Sequence, residues 1–256
     1  MYVPVSYLYR VGARKGSRRA DILGGVSTAA QDGPVRAEAN GPAEPAERQR
    51  DAERTRAEIL DIATEEFADR GYDGARVDEI AARTRTTKRM IYYYFGSKER
   101  LYVAVLEHAY QGIRALEQQL DVDHLDPARA MRALAELTFD HHESHPAFIR
   151  LVGIENIHHA EHLRTSPILP GLAAPAVDVL GGILDRGRAA GLFREDVDAL
   201  DVHMVISAFC VFRTANQHTF QAIFDRDLLD PARRAHYRRM LGDLVLEYLT
   251  AHVGRA

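Results

Sequence analysis

From Thr55 onward the apolar residues recur at helical spacing. Ile59, Ile62, Ala63 and Phe67 fall at i, i+3, i+4 and i+8, which predicts an amphipathic helix that Gly71 stops. A short helix is expected over about Val77 to Thr84, with Ile80 and Ala81 inward and Asp78 and Glu79 in the first turn, where the helix dipole favours acids. Arg85-Thr86-Thr87 breaks the pattern, and a third short helix covers about Lys88 to Phe95. After Gly96, Ser97 can cap a fourth, longer helix whose expected inward face is Leu101, Val105, Ala109, Gly112, Leu116 and Leu120. Residues 1–48 hold no sustained periodicity; Gly, Pro, Ala and charge dominate there, the pattern of a disordered tail.

The remainder reads as helix throughout, with no strand alternation. Asp126-Pro127 opens a helix as N-cap and first helical residue, running to about His145. Further helices are expected over about Ala147 to Leu163, Pro170 to Ala190 with Gly191 as terminator, Ala199 to Phe224, and Ala232 to His252. The last carries Tyr237, Leu241, Leu244, Val245, Tyr248 and Leu249 on one face. Between Val202 and Phe212 the penultimate helix is apolar on nearly every side, so it needs cover both from its own domain and from something else, most economically a second copy of the chain. The pattern predicts an all-α protein.

Composition narrows the function. The chain has 256 residues, 46% of them hydrophobic, enough for a sizeable core. No apolar run approaches the roughly 20 residues of a membrane helix. The first 23 residues place apolar before basic residues, the reverse of a secretion signal. The one cysteine, Cys210, fits a reducing cytoplasm. No Gly-rich phosphate loop, nucleophile elbow or Cys/His pairing suggests an enzyme, and no cofactor is implied. Net charge is −4, yet Arg83, Arg85, Lys88, Arg89 and Lys98 place five basic residues and no acid between positions 83 and 98. Local charge is what nucleic acid meets.

Two short helices joined by a tight break, the second basic and aromatic, form a helix-turn-helix pattern in which the second helix enters the major groove. Ile91 and Phe95, four apart, form its inward face, leaving Lys88, Arg89, Met90, Tyr92, Tyr93 and Tyr94 for the groove and its phosphate rims. Three consecutive tyrosines fan out at roughly 100° each, so they cannot all face one core. Thr87 is placed to cap the helix and offer its hydroxyl or amide to a phosphate, and Lys98 is a further phosphate ligand.

These residues carry a resemblance. Arg56-Ala-Glu-Ile-Leu-Asp-Ile-Ala, Phe67-Ala-Asp-Arg-Gly-Tyr72, Val77-Asp-Glu-Ile-Ala-Ala-Arg83 and Ile91-Tyr-Tyr-Tyr-Phe-Gly-Ser-Lys-Glu99 closely resemble the N-terminal domain of the TetR family of transcriptional regulators, over about 50 residues. The resemblance implies a three-helix DNA-binding domain over 49–97 and a helical-bundle domain for effector binding and dimerisation over 98–256. It implies a homodimer on palindromic operator DNA, joined through the last two helices as a four-helix bundle, with a small-molecule effector. The family's DNA contacts fall by position on Thr87, Lys88, Arg89, Met90, Tyr92, Tyr93, Tyr94 and Lys98. The family's usual Gly and aliphatic pair in the turn is replaced by Arg85-Thr86. A non-glycine residue is thus expected in a left-handed conformation.

The effector half carries a conflict between pattern and polarity. Phe148, Leu151 and Val152 define an inward stripe on which Glu155, His159 and His162 also fall, flanked by Asn156 and His158. Ionisable groups facing an interior are costly unless partnered. His141 lies on the inward stripe of the preceding helix, and Asn216 shares a stripe with Phe209, Phe212 and Phe220, with Arg213 at its edge. Three readings stand open: Glu155 is satisfied by Arg213 or a histidine and pins helices together; Phe148, Glu155, Asn156, His159, His162, Phe209, Phe212, Arg213 and Asn216 line an organic effector pocket; or Glu155 with His158, His159 or His162 holds a metal. A ligand-independent architectural DNA-binding protein is the alternative function.

Overall fold

The computed structural model describes residues 45–251, and the regular structure among them is entirely helical. Residues 1–44, most of the expected tail, lie outside the described residues. Helix α1 begins at Pro45 and ends at Gly74. It starts well before Thr55 because Pro45 to Arg54 contains strong helix formers but no apolar stripe, so periodicity cannot reveal it. Gly71, at φ 69° and ψ 175°, breaks the helix at the expected residue. Helices α2 (Val77–Arg83), α3 (Lys88–Phe95) and α4 (Lys98–Gln119) follow. Ile59, Ala63, Phe67, Ile80, Ile91, Leu101 and Tyr102 meet in one core, which is what holds α3 in place.

The second half comprises α5 (Pro127–Ser144), α6 (Pro146–Ile157), a 3-10 turn at Leu163–Thr165, α7 (Leu169–Ala189), α8 (Ala199–Ala215), α9 (Gln217–Phe224) and α10 (Pro231–Thr250). Asp126 caps α5 as expected, its side chain accepting from the Arg129 amide at 3.0 Å. The larger core gathers Met131, Leu134 and Phe139 of α5, Leu180 and Ile183 of α7, Ile206 of α8, and Leu241 and Val245 of α10. An acidic edge of α5 locks this bundle from outside. Glu136 and Asp140 accept from Arg238 of α10, Asp140 and Glu143 from Arg234 of α10, and Glu143 from Arg213 of α8 at 2.7 Å. Arg213 is buried and also lies 4.2 Å over the Phe139 ring.

Four elements differ from expectation. Helix α6 stops at Ile157, six residues before Leu163, because His159 and Ala160 turn left-handed at φ 56° and 58°. The helix expected over Ala199 to Phe224 is two helices, split at Asn216. The inward face of α4 is Leu101, Tyr102, Val105, Leu106, Ile113, Arg114 and Glu117, while Gly112 and Leu116 face outward. That stripe drifts around the axis because α4 packs first on the reading head and then on the bundle. Likewise Leu244 and Tyr248 of α10 are exposed, beside the buried Tyr237, Leu241, Val245 and Leu249.

Candidate nucleic-acid interface and effector domain

Helices α2 and α3 are joined by a turn whose hydrogen bonds explain its shape. The Thr84 amide donates to Ile80 O and the Thr86 amide to Ala81 O, the six-to-one bond of a Schellman C-cap. The residue between them, Arg85, sits at φ 52°. The left-handed position normally taken by glycine is therefore filled by an arginine, as the sequence requires. The following N-cap is Thr87, whose hydroxyl accepts from the Met90 amide at 3.2 Å. Ser97 caps α4 in the same way through the Arg100 amide. Two side-chain caps ten residues apart thus set both ends of the reading unit.

Ile91 and Phe95 are buried, and the opposite face of α3 is open. Lys88, Arg89, Met90, Tyr92 and Tyr93 are exposed, Tyr93 to 78%, whereas Tyr94 is half-buried with its ring edge-on to Tyr93. Lys88 Nζ pairs with Asp78 Oδ2 at 3.0 Å. Both groups are about half exposed, so this pair is weak and an incoming phosphate can replace Asp78. Lys98, at the start of α4, donates to the Asp73 carbonyl at 3.3 Å and lies 5.0 Å over the Tyr72 ring.

Tyr72 also marks the junction with the second half. Its ring centroid is 4.3 Å from that of His162, and Tyr102 meets His162 edge-on at 4.8 Å. Behind His162 is Glu155, 1% exposed. Its carboxylate faces His162 Nδ1 at 3.2 Å and accepts from the Leu163 amide at 3.0 Å. The Tyr102 hydroxyl is buried beside Glu155; burial, then the charge of Glu155 and a hydrogen bond to it, raise its pKa. Glu155 and His162 thus tie α6 and the turn after it to the reading head.

Of the expected effector residues only Glu155 and His162 are brought together. Asn156 and His159 are exposed, because α6 ends before the inward stripe reaches His159. Arg213 is committed to Glu143 rather than Glu155. Phe209 is half-buried on the larger core, Phe212 is half exposed beside Phe220, and Asn216 is exposed at the α8–α9 break. A pocket from Glu155 across to Asn216 is therefore not what the chain forms. Phe148 faces inward as expected but is buried against Tyr110, His141 and His142 rather than Phe209 and Phe212.

The polar centre of the effector half lies elsewhere. Arg114 and Glu117 form a buried pair at 2.5 Å on the inner side of α4. Burial raises the Glu117 pKa against the pull of Arg114. Burial, helped by neighbouring histidines and Arg114, pushes His141 down to about 3. Burial likewise lowers His142, to about 4, against its hydrogen bond to the Thr138 carbonyl. His203 of α8 is lowered too, again by burial. Periodicity missed Arg114 and Glu117; their spacing of three beside Ile113 is the signal that could have found them. Burial pushes the Cys210 thiol up to about 12, so it stays an inert thiol in the core.

A capped helix-turn-helix with an open basic and aromatic face, among described residues whose regular structure is all helical, defines a DNA-binding transcriptional regulator. Residues 59–105 match the family described as "Bacterial regulatory proteins, tetR family", and residues 127–245 match "Tetracyclin repressor-like, C-terminal domain". The chain is 38% identical over 202 residues to the HTH-type transcriptional repressor NicS of Pseudomonas putida, spanning 79% of this chain and 95% of that protein. The crystal structure of the putative transcriptional regulator SCO4942 from Streptomyces coelicolor has 30% identity, covers 74% of this chain and 97% of its own, and superposes with a TM-score of 0.56. The ketosteroid transcriptional regulator KstR2 of Mycobacterium tuberculosis shares the fold, with 21% identity, a TM-score of 0.57, and coverage of 76% and 94%. The chain belongs to the tetR family of transcriptional regulators. Such regulators are generally non-enzymatic, and among the described residues no helix is long and apolar enough to cross a membrane.

Two outcomes follow from the buried charges. Glu155→Ala should cost about 2–3 kcal/mol in chemical denaturation, because the Leu163 amide and His162 lose their acceptor in a buried site. Glu155→Gln, which keeps a carbonyl for the amide, should cost less; equal losses would show that the carboxylate's hydrogen bonds are not what holds the junction. For His141 and His142 the folded pKa lies below the unfolded value of 6.5. The unfolded chain therefore binds more protons as pH falls through 6.5, and stability is lost toward pH 4. The slope should approach about 1.4 kcal/mol per pH unit for each histidine. Denaturation of His141→Gln across that range should show a shallower slope than the parent.

Proposed function

We propose that the chain acts as a homodimer whose two α3 helices hold a palindromic operator, and whose affinity for it is set by a small organic effector bound in the domain spanning 98–256. The observation that carries this reading is the open face of α3, where basic and tyrosine side chains are exposed while Ile91 and Phe95 anchor the helix from behind. Lys88 and Arg89 are the candidates for guanine edges. Thr87, Tyr92, Tyr93, Tyr94 and Lys98 are phosphate donors or stack along the groove wall, and Met90 offers an apolar contact to a thymine methyl. The reading head is assigned to residues 49–97. Repression is favoured because the NicS relative is itself named a repressor. An inert buried thiol and a DNA target favour work in the cytoplasm.

The dimer reading rests on uncovered apolar surface. Leu200, Met204 and Phe212 on α8 and Met240, Leu244 and Tyr248 on α10 are exposed, although both helices bury their opposite faces in the core. Apolar burial stabilises by roughly 25 cal/mol per Å², so pairing these two faces with their copies favours a durable four-helix contact.

Selection from random duplex DNA should return a palindrome. On it, Lys98→Ala should weaken binding to all sequences and reduce the salt slope by about 1 per subunit. Lys88→Ala and Tyr93→Ala should cost more on the operator than on random DNA. A Lys88, Tyr93 and Lys98 triple alanine variant that binds the operator like the parent overturns the assignment. Met204→Glu and Leu244→Glu should give helical monomers by light scattering, with weakened operator binding; unchanged mass in both overturns the dimer surface.

A further inference from the structure

A cleft of about 550 Å³ opens between α1 of the reading head and helices α4, α5 and α6 of the effector half. One wall is acidic. Asp61, Glu65 and Asp69 line it at i, i+4 and i+8, on one face of α1. Two of the three are held by guanidinium groups: Glu65 by Arg83 and Asp69 by Arg150 at 2.5 Å. Asp61 faces His108 Nε2 at 3.4 Å, which is an ion pair only when the imidazole carries a proton. Asp61 is thus the carboxylate of this wall without a permanent cation.

The opposite wall is lined by rings, with the Arg150 guanidinium at its edge turned onto Asp69. The His141 and His145 rings stack at 4.2 Å, and Phe148 stands edge-on to His141. His141 is 4% exposed and lines the cleft, yet its Nδ1 has no hydrogen-bond partner. Its Nε2 lies 4.0 Å from where a Cβ on Gly112 would stand, and Gly112, exposed, is itself part of the cleft wall. The absence of a side chain at Gly112 therefore leaves space directly over the imidazole. Burial and neighbouring positive groups keep that ring neutral, so it presents lone-pair and π-face character rather than charge.

We propose that this cleft binds a small organic cation, an ammonium on a compact aromatic body, with Asp61 as counter-ion and the His141–His145–Phe148 wall as the seat of the ring. An ammonium meets a carboxylate by a charge-assisted hydrogen bond, and its aromatic body finds stacked rings across a gap of ligand size. Among the described residues, His141 is the imidazole with a buried nitrogen left without a partner, and it lines this cleft. The site deepens the effector reading above and rests on it for its consequence: the ligand touches α1 and α4–α6 at once, so its differential affinity for two head positions acts directly on half-site spacing.

The test titrates the full chain with 2-phenylethylamine, 2-phenylethanol and phenylacetate by calorimetry, without DNA. The amine should bind saturably, one per chain, at least about tenfold tighter than the alcohol, with the acid weakest. Asp61→Asn should lower amine affinity about tenfold and leave the alcohol unchanged. Gly112→Leu, on an exposed helix position, should abolish binding of both while the melting curve keeps its shape. No saturable binding by the amine, equal binding of the three compounds, or affinity indifferent to both substitutions overturns the site. Binding as described with operator affinity unchanged by the amine keeps the site and overturns its role in ligand control.

Discussion

A carboxylate taken out of water must find donors, and at Glu155 they come from outside its own helix. The Leu163 amide and His162 turn the chain back on itself after α6, and the ring of His162 then packs on Tyr72 and Tyr102 of the reading head. Without that partnering α6 would have no reason to stop where it does, and the polar contacts left between the two halves would be exposed ones such as Arg150 with Asp69. Helix α4 makes the same connection by a different physics: its first half belongs to the reading-head core and its second half to the bundle. The junction is therefore rigid along one covalent helix and polar at one buried pair.

Around that junction the two halves are stabilised differently. The reading head is a small core of branched aliphatics and aromatics closed by side-chain caps at Thr87 and Ser97. The effector half adds to its larger apolar core an ionic lattice in which α5 supplies the acids and α8 and α10 the arginines. Such pairs add modestly to stability when exposed, but they fix register, because Arg234 and Arg238 each bridge acids one turn apart. Buried neutral histidines beside Arg114 and Glu117 complete a polar interior that a purely structural bundle does not need. A ligand-responsive domain can use such an interior, since buried polar groups favour alternative arrangements of similar energy once a new partner enters.

What the sequence by itself determined is short-range. The break at Gly71, the span of α3, the caps at Asp126 and Ser97, the inward pair Ile91 and Phe95, and the left-handed Arg85 all follow from residues within one or two turns of each other. Periodicity and capping act at that range, and the resemblance of the reading head to its family runs through the same residues. Tertiary structure decided what depends on distant partners. Glu155 and His162 lie seven apart on the expected inward stripe, but the chain satisfies them by unwinding at His159 and Ala160. A helical pattern cannot show that unwinding, because the gain comes from Tyr72 and Tyr102 far back in the chain. The same reason governs Arg213, whose partner Glu143 is seventy residues away, and α4, whose stripe drifts to serve two cores. Local spacing names which residues conflict with their surroundings; only packing across the fold decides which partner resolves each conflict.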